Sequence, residues 1–206
     1  MNPMLGFAVK AARRAGDIIN RAAENIEQLT VQHKTKNDLV SEVDRAAEAE
    51  IINSLKNVYP EHAFLAEESG RTGSSDFEWI IDPLDGTTNF LHGFPVYGVS
   101  IALAYKKQLK VAVVFDTCRN DLYTASRGAG AYLNEKRIRV SKRDKLIDCL
   151  IGTGFPFKAN SDIETYTEMF KTIALNTAGI RRPGAAALDL ANVAAGRLDG
   201  FWEIGL

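Results

Sequence analysis

Apolar side chains recur at helical spacing between residues 4 and 22 (Met4, Ala8, Ala11, Ala15, Ile18, Ala22), with Arg13, Arg14 and Arg21 on the remaining arc. That periodicity predicts an amphipathic helix. A polar, basic stretch at 33–37 follows. Ser41, with Asp44 three residues on, has the spacing of a capping box for a second helix through Val43, Ala47, Ile51 and Leu55, which Tyr59-Pro60 ends.

The character then changes. Residues 62–66 and 77–81 are short apolar runs separated by the Gly/Ser-rich stretch 69–76, and both lead into carboxylates. Val99, Ile101, Leu103 and Tyr105 alternate, Lys106-Lys107-Gln108 turns, 110–115 returns, and 122–125 extends the meander. This half reads as α+β, with helices against an antiparallel sheet. After Ser141 the rhythm becomes strand (149–153), helix (163–178), strand (180–182), helix (185–195) and strand (198–204), an α/β alternation. The expected class is α/β overall, with an α+β domain over 1–140 and an α/β domain over 141–206. No closing helix follows the last strand, so the second unit is expected to be unfinished, with its final strand uncovered and prone to pair with another chain.

Lys and Arg number 25 against 26 Asp and Glu, a net charge of −1, so the chain lacks the general basic excess that draws proteins to nucleic acid. A hydrophobic share of 46% is enough to build a core and excludes a disordered chain. Cys118 and Cys149 are too few for a disulfide framework and are expected to be reduced, buried small hydrophobes. The first fifteen residues carry Lys10, Arg13 and Arg14 and do not read as a signal peptide. No run approaches the roughly eighteen apolar residues of a membrane span. A cytoplasmic protein without a membrane partner is expected.

The densest chemistry is Trp79-Ile80-Ile81-Asp82-Pro83-Leu84-Asp85-Gly86-Thr87-Thr88-Asn89-Phe90. A strand delivers Asp82 to its end, Pro83 stiffens the turn, and Gly86 allows a tight path after Asp85. Two carboxylates and the Leu84 carbonyl are hard oxygen donors whose like charges repel unless neutralised, the setting Mg2+ favours. The plainer alternative is turn punctuation by Asp-Pro and Asp-Gly. Glu67-Glu68 at the end of another strand strengthens the first reading. Asp44 reads equally as a helix cap. Thr87-Thr88-Asn89 after Gly86, and Gly184-Ala185-Ala186 after Arg181-Arg182-Pro183, look like helix starts whose N–H groups could receive a phosphate oxygen. His33, His62 and His92 have no ligand spacing, with His92 expected in a loop beside the site entrance. Gly128-Ala129-Gly130-Ala131 reads as structural. No P-loop, dinucleotide-binding glycine pattern or Ser-His-Asp arrangement is present.

Glu67-Glu68-Ser69, the run 79–90, and Gly184-Ala185-Ala186 through Glu203 resemble the inositol monophosphatase family, most closely its bacterial SuhB-type branch. The resemblance implies a layered αβαβα sandwich of the sugar-phosphatase type and a lithium-sensitive, Mg2+-dependent phosphomonoesterase acting on myo-inositol monophosphate. Another small phosphorylated sugar or nucleotide is the alternative substrate. It implies that Glu67, Asp82 and the Leu84 carbonyl bind one Mg2+, and that Asp82 and Asp85 bind a second. Thr87 and Asp44 orient the attacking water with Glu67 as a further catalytic group. The N–H groups of Gly86 and Thr87 hold the phosphate, and Asp85, Gly184, Ala186 and Glu203 face the substrate. The family pattern continues beyond the position of Ile204 with a Trp-Asp element that this chain does not reach, so the second metal site is expected to be short of an acid. A homodimer is implied. So is a second class of role, in transcription antitermination with RNA-linked complexes, for which Lys136, Arg137, Arg139, Lys142, Arg143 and Lys145 form the candidate contact.

Overall fold

The computed structural model describes residues 2–28, 31–35, 38–156 and 162–205. Helix α1 (Pro3–Ala23) starts at Asn2, whose side chain accepts from the Met4 N–H, with Pro3 in the first turn. Its buried stripe is mostly alanine (Ala8, Ala11, Ala12 and Ala15 are fully covered), and such short side chains let the helix lie close to its neighbours. A hairpin of β1 (Val31–Thr35) and β2 (Asp38–Ser41) occupies the polar stretch that sequence reading left without an element; residues 36 and 37 and the His33 side chain lie outside the described residues. Helix α2 (Glu42–Lys56) begins with the expected capping box between Ser41 and Asp44.

Among the described residues the largest sheet contains β3 (Ala63–Ala66), β4 (Gly70–Thr72), β5 (Phe77–Asp85), β6 (Gly98–Tyr105), β7 (Gln108–Asp116), β8 (Asp121–Ser126), β9 (Gly130–Leu133) and β10 (Lys136–Arg137). Its order is β10-β9-β8-β7-β6-β5-β3-β4. The meander is present as expected, turning at Lys106 and Lys107, both in the left-handed region, so that Gln108 already begins the return strand. The sheet is mixed, which corrects the antiparallel expectation: β3 runs parallel to β5. Alternate residues of the central strands, Trp79 and Ile81, Val99, Ile101 and Leu103, Val111, Val113 and Phe115, join the inner stripes of α1 and α2 in one core.

The short helix α3 (Thr87–Leu91) follows β5 directly. Beyond it, β11 (Leu150–Thr153), α4 (Ile163–Asn176), β12 (Gly179–Arg181), α5 (Ala186–Ala194) and β13 (Gly200–Trp202) alternate as expected, β12 starting one residue early and the others trimmed at their ends. Their sheet, ordered β12-β11-β13, is parallel throughout. The last strand is shorter than the predicted 198–204 because Leu198 and Asp199 turn inward: Leu198 is buried, and Asp199 accepts from the Leu150 N–H at 2.6 Å. The class is α/β, a large mixed sheet flanked by helices. No helix of the described residues is long and apolar enough to cross a membrane.

Candidate active site

The parallel pairing of β3 and β5 decides where the acids lie. Ala66 stands opposite Ile81, and the Glu67 N–H continues the ladder by donating to the Ile81 carbonyl at 3.1 Å. Glu67 and Asp82 therefore leave the sheet side by side, and they share a hydrogen bond. An antiparallel pair would have sent the two acids to opposite ends of the sheet.

Asp85 reaches the same side through a bulge. Asp82 pairs with Ser100 and Asp85 with Gly98, so three residues of β5 span two of β6. Side chains three apart on a regular strand point to opposite faces, and the extra residue at Pro83-Leu84 restores Asp82 and Asp85 to one face. Pro83, which has no N–H to lose from the ladder, suits that place. Gly86 then turns the chain at φ 96°, where a Cβ would stand 2.9 Å from the Val96 carbonyl oxygen, and α3 starts with no side-chain cap. The helix start expected at Thr87 is present.

Burial is the largest cause raising the Asp82 carboxyl well above the usual carboxylate range, followed by the charges of Asp85 and Glu67. Asp85 is pushed up to about 6, again first by burial; N–H groups of Ala187 and Ala186 oppose the shift, and Glu67 and Glu203 add to it. Asp85 Oδ2 accepts from the Ala187 N–H at 2.6 Å. It thereby caps α5 from across the molecule, where Ala185 in the N-cap position has no side chain to do so. The expectation that the α5 start would offer its N–H groups to a phosphate is corrected: Asp85 takes them.

Asp44 resolves as both alternatives at once. Its Oδ2 accepts from the Ser41 N–H at 2.8 Å and the Ser41 hydroxyl at 2.5 Å, while its Oδ1 accepts from Thr87 Oγ1 at 2.8 Å. The Thr87 hydroxyl also lies 3.0 Å from the Leu84 carbonyl oxygen. With its proton directed to these acceptors, it presents lone pairs outward to a donor.

Glu203 follows β13 and packs where only glycine fits, since a Cβ on Gly154 would fall 2.1 Å from its carboxyl carbon. Gly184 sits against the Asn89 amide. Asn89 Nδ2 donates to the Val96 and Pro183 carbonyls at 2.7 and 2.8 Å, stapling the segment before α5 onto α3. The residues that the resemblance implies for the phosphatase site are thus gathered around the end of β5: Asp44, Glu67, Asp82, Leu84, Asp85, Gly86 and Thr87 directly, and Gly184, Ala186 and Glu203 through Asn89 and Asp85.

Two carboxylates were not foreseen. Glu48, buried one helical turn after Asp44 on α2, accepts from the Glu68 N–H at 2.7 Å and the Ser69 N–H at 2.9 Å. It holds the turn that follows Glu67. Its only sequence signal is the i, i+4 spacing from Asp44 on a helix face that is otherwise buried. Asp189 is buried on α5 and pushed up to about 7, first by burial and then by Asp85. The remaining histidines are structural. His62 stacks between Tyr59 and Phe77, accepts from Trp79 Nε1 at 3.1 Å and is lowered by burial; exposed His92 caps α3 through the Thr88 carbonyl. Cys149 is buried and Cys118 half-buried, and neither is in a disulfide.

No group of three or more His, Cys, Asp or Glu side chains among the described residues is drawn together closely enough to hold a metal as it stands. The donor chemistry nonetheless fits a hard divalent cation: carboxylates and a carbonyl from one strand end, with Asp82 and Asp85 both raised first by burial and then by neighbouring acids. A bound cation would offset the charge that burial and the neighbouring acids make costly at Asp82.

A large mixed sheet flanked by helices carries the acid cluster at the end of its bulged strand, an α/β architecture. The chain belongs to the inositol monophosphatase family, whose model matches residues 1–206. It is 52% identical over 212 residues to the Nus factor SuhB of Pseudomonas aeruginosa, covering all of this chain and 78% of that protein. The extragenic suppressor protein SuhB of Bartonella henselae superposes with a TM-score of 0.96 at 44% identity, over 100% of this chain and 80% of that one. An inositol monophosphatase of Anabaena (Nostoc) sp. superposes at 0.84 with 36% identity, over 98% and 75%.

Proposed function

We propose that this chain is a Mg2+-dependent phosphomonoesterase that hydrolyses myo-inositol monophosphate to inositol and phosphate. The observation that carries the reading is the 2.8 Å hydrogen bond from Thr87 Oγ1 to Asp44 Oδ1 beside the acid cluster of Glu67, Asp82 and Asp85. Membership of the family supports it. In this reading Glu67, Asp82, Asp85 and the Leu84 carbonyl hold the cations, which supply charge neutralisation for the phosphoryl oxygens and acidify water.

The protein's own groups do the rest. Asp44 fixes the Thr87 hydroxyl so that its lone pair accepts from the attacking water, a positioning that turns an encounter into an oriented attack. The N–H groups of Gly86 and Thr87 receive a phosphoryl oxygen at the start of α3. Asp85, Gly184, Ala186 and Glu203 meet the polyol, the acids accepting from its hydroxyls. Residues 1–140 form the metal-binding part and 141–206 the substrate-facing part of a cytoplasmic homodimer.

The test is Mg2+-dependent release of inorganic phosphate from inositol 1-phosphate, compared with fructose and adenosine bisphosphates. Release that survives EDTA, or is untouched in Thr87→Ala, overturns the reading; faster turnover of a bisphosphate redirects it to that substrate. A second reading, a transcription antitermination factor, draws on the names of the SuhB relatives and on the exposed run containing Lys136, Arg139, Lys142 and Lys145. Under it, an Asp82→Asn chain without phosphatase activity still binds the transcription complex.

A further inference from the structure

Helix α5 begins with Ala186 and Ala187, whose N–H groups Asp85 takes, and runs to Ala194. Along its length the buried apolar side chains are Leu188 and Ala191, while Leu190 is exposed. One leucine and one alanine offer few packed atoms to stop a helix sliding along its axis. The groups that fix it there are polar and lie at its two ends.

The C-terminal end closes in a Schellman motif. Gly196 stands at φ 70°, its N–H donates to the Val193 carbonyl at 3.0 Å, and the Arg197 N–H donates to the Asn192 carbonyl at 2.9 Å. An apolar contact commonly accompanies that motif between the two positions that Asn192 and Arg197 occupy here. Their side chains meet instead on the Tyr123 hydroxyl of β8, which donates to Asn192 Oδ1 at 3.2 Å and accepts from Arg197 Nη1 at 2.8 Å. The same Nη1 donates to Asp121 Oδ2 at 3.0 Å, and Asp121 Oδ1 accepts from Asn134 Nδ2 at 2.8 Å. Tyr123 is buried on a strand with partners on both sides, so its hydroxyl is a fixed point of the large sheet.

We propose that Arg197 is a positioning residue for the candidate site: with Tyr123 it anchors the far end of α5 to β8, and so sets where the Ala186 and Ala187 N–H groups meet Asp85. The helix spans nine residues, roughly 13 Å at the α-helical rise. A rod of that length, tied at both ends to one sheet, carries a shift at one end to the other. Arg197 acts through Tyr123, Asp121 and Asn192 rather than by touching the acid cluster. Its effect on substrate affinity rests on the phosphatase reading. Its effect on the Asp85 hydrogen bond does not.

The experiment measures hydrogen exchange at the Ala187 amide of the whole chain in EDTA, and KM and kcat for inositol 1-phosphate at saturating Mg2+. Arg197→Gln is expected to speed exchange at Ala187 about tenfold while the amides of β5 and β6 keep their rates, and to raise KM about fivefold with kcat nearly unchanged. Tyr123→Phe is expected to do the same, and the double variant no more than either, since one hydroxyl joins the two side chains. Arg197→Lys is expected to restore parental values, because a single nitrogen makes both side-chain bonds and an ammonium has three donors. Arg119→Gln is the control: it removes a half-exposed guanidinium paired with Asp116 in its own turn, and is expected to change neither measurement. Unchanged exchange at Ala187 in Arg197→Gln, faster exchange spread evenly over the chain, or an equal effect from Arg119→Gln overturns the anchor. Faster exchange at Ala187 with KM unchanged overturns its role in the site. A parent chain that releases no phosphate overturns the phosphatase reading instead, and the Ala187 amide still decides the anchor. If Arg197→Gln does not fold, Tyr123→Phe, which removes one oxygen atom, decides it.

Discussion

The two regions that meet at the candidate site are built to different standards of rigidity. The acids stand on β3 and β5, inside a sheet of eight strands whose inner face is sealed by α1 and α2, with Trp79, Ile101 and Leu103 fully buried. The groups facing them, Gly184, Ala186 and Glu203, stand just before α5, at its first residue and just after β13, attached to a sheet of three short strands. Beside that sheet α4 buries only Tyr166 and leaves Ile163 and Leu175 more than half exposed. In the proposed reading, charge that must be held in a fixed constellation sits on the close-packed side, and the contacts assigned to the substrate sit on the side with fewer constraints. The difference teaches that loss of chemistry should follow changes in the first region, and loss of affinity or selectivity changes in the second.

The sharpest way to break that comparison is Asp82→Asn. It removes the carboxylate on which both Asp85 and Glu67 act, and phosphatase turnover should fall about a thousandfold or more with little change in melting temperature. A variant that keeps near-parental turnover would sink the assignment. Next come Thr87→Ala and Asp44→Asn, each expected to lower turnover about a hundredfold and to do no more together than apart, because one hydrogen bond links them. Asp44→Asn alone should also lose about 1 kcal/mol of stability, since its other oxygen caps α2 through Ser41. Equal melting temperatures for the two single variants would contradict the double duty read from its contacts.

How much of this was legible beforehand differs between the regions for a physical reason. The Asp82 to Asn89 run announces itself because a strand, a proline, a glycine and two acids follow one another locally. The bulge that puts Asp82 and Asp85 on one face is implied by Pro83 but not by any alternation, and the parallel partnership of β3 and β5 is a long-range fact that local periodicity cannot carry. Polar residues 31–41 gave no apolar alternation from which to read the β1–β2 hairpin. Glu48 was hidden because its partners are backbone N–H groups twenty residues away. Asp189 was hidden because a single acid in Ala-Ala-Leu-Asp-Leu-Ala reads as the wet face of a helix.

Glu48→Gln tests the support of the first region at smaller scale. Its two acceptor bonds hold the turn after Glu67, and a change to such a supporting group costs roughly 10–100-fold in metal affinity. Magnesium titration should show that loss, with turnover recovering at saturating Mg2+. Turnover that stays low at saturation would give Glu48 a different role. On the opposite side, Glu203→Gln should raise KM for the inositol phosphate about tenfold and leave kcat nearly unchanged, the pattern of lost uniform binding. A fall in kcat at constant KM would move Glu203 into the first region.

The smallest effect concerns Asp85, which belongs to both regions: it stands on β5 and caps α5 through the Ala187 N–H. Its carboxyl, ordinarily near 3.8, is pushed up to about 6. In the absence of cations the folded chain therefore keeps a proton that the unfolded chain releases, and the resulting stability is complete below about pH 4 and lost as pH rises through about 6. Asn at this position cannot ionise, yet its carbonyl can still accept from α5. Melting of the parent and Asp85→Asn in EDTA should thus give a difference that grows in the variant's favour between about pH 4 and pH 6 and is level above, reaching about 1–2 kcal/mol, or a few degrees. Added Mg2+ should stabilise the parent and not the variant, because the cation supplies to the ionised carboxylate what the proton supplied before. A difference that does not change with pH would mean that Asp85 ionises as easily folded as unfolded, and that the close-packed acids and the α5 side are joined by a plain helix cap rather than by a carboxylate held above its ordinary range.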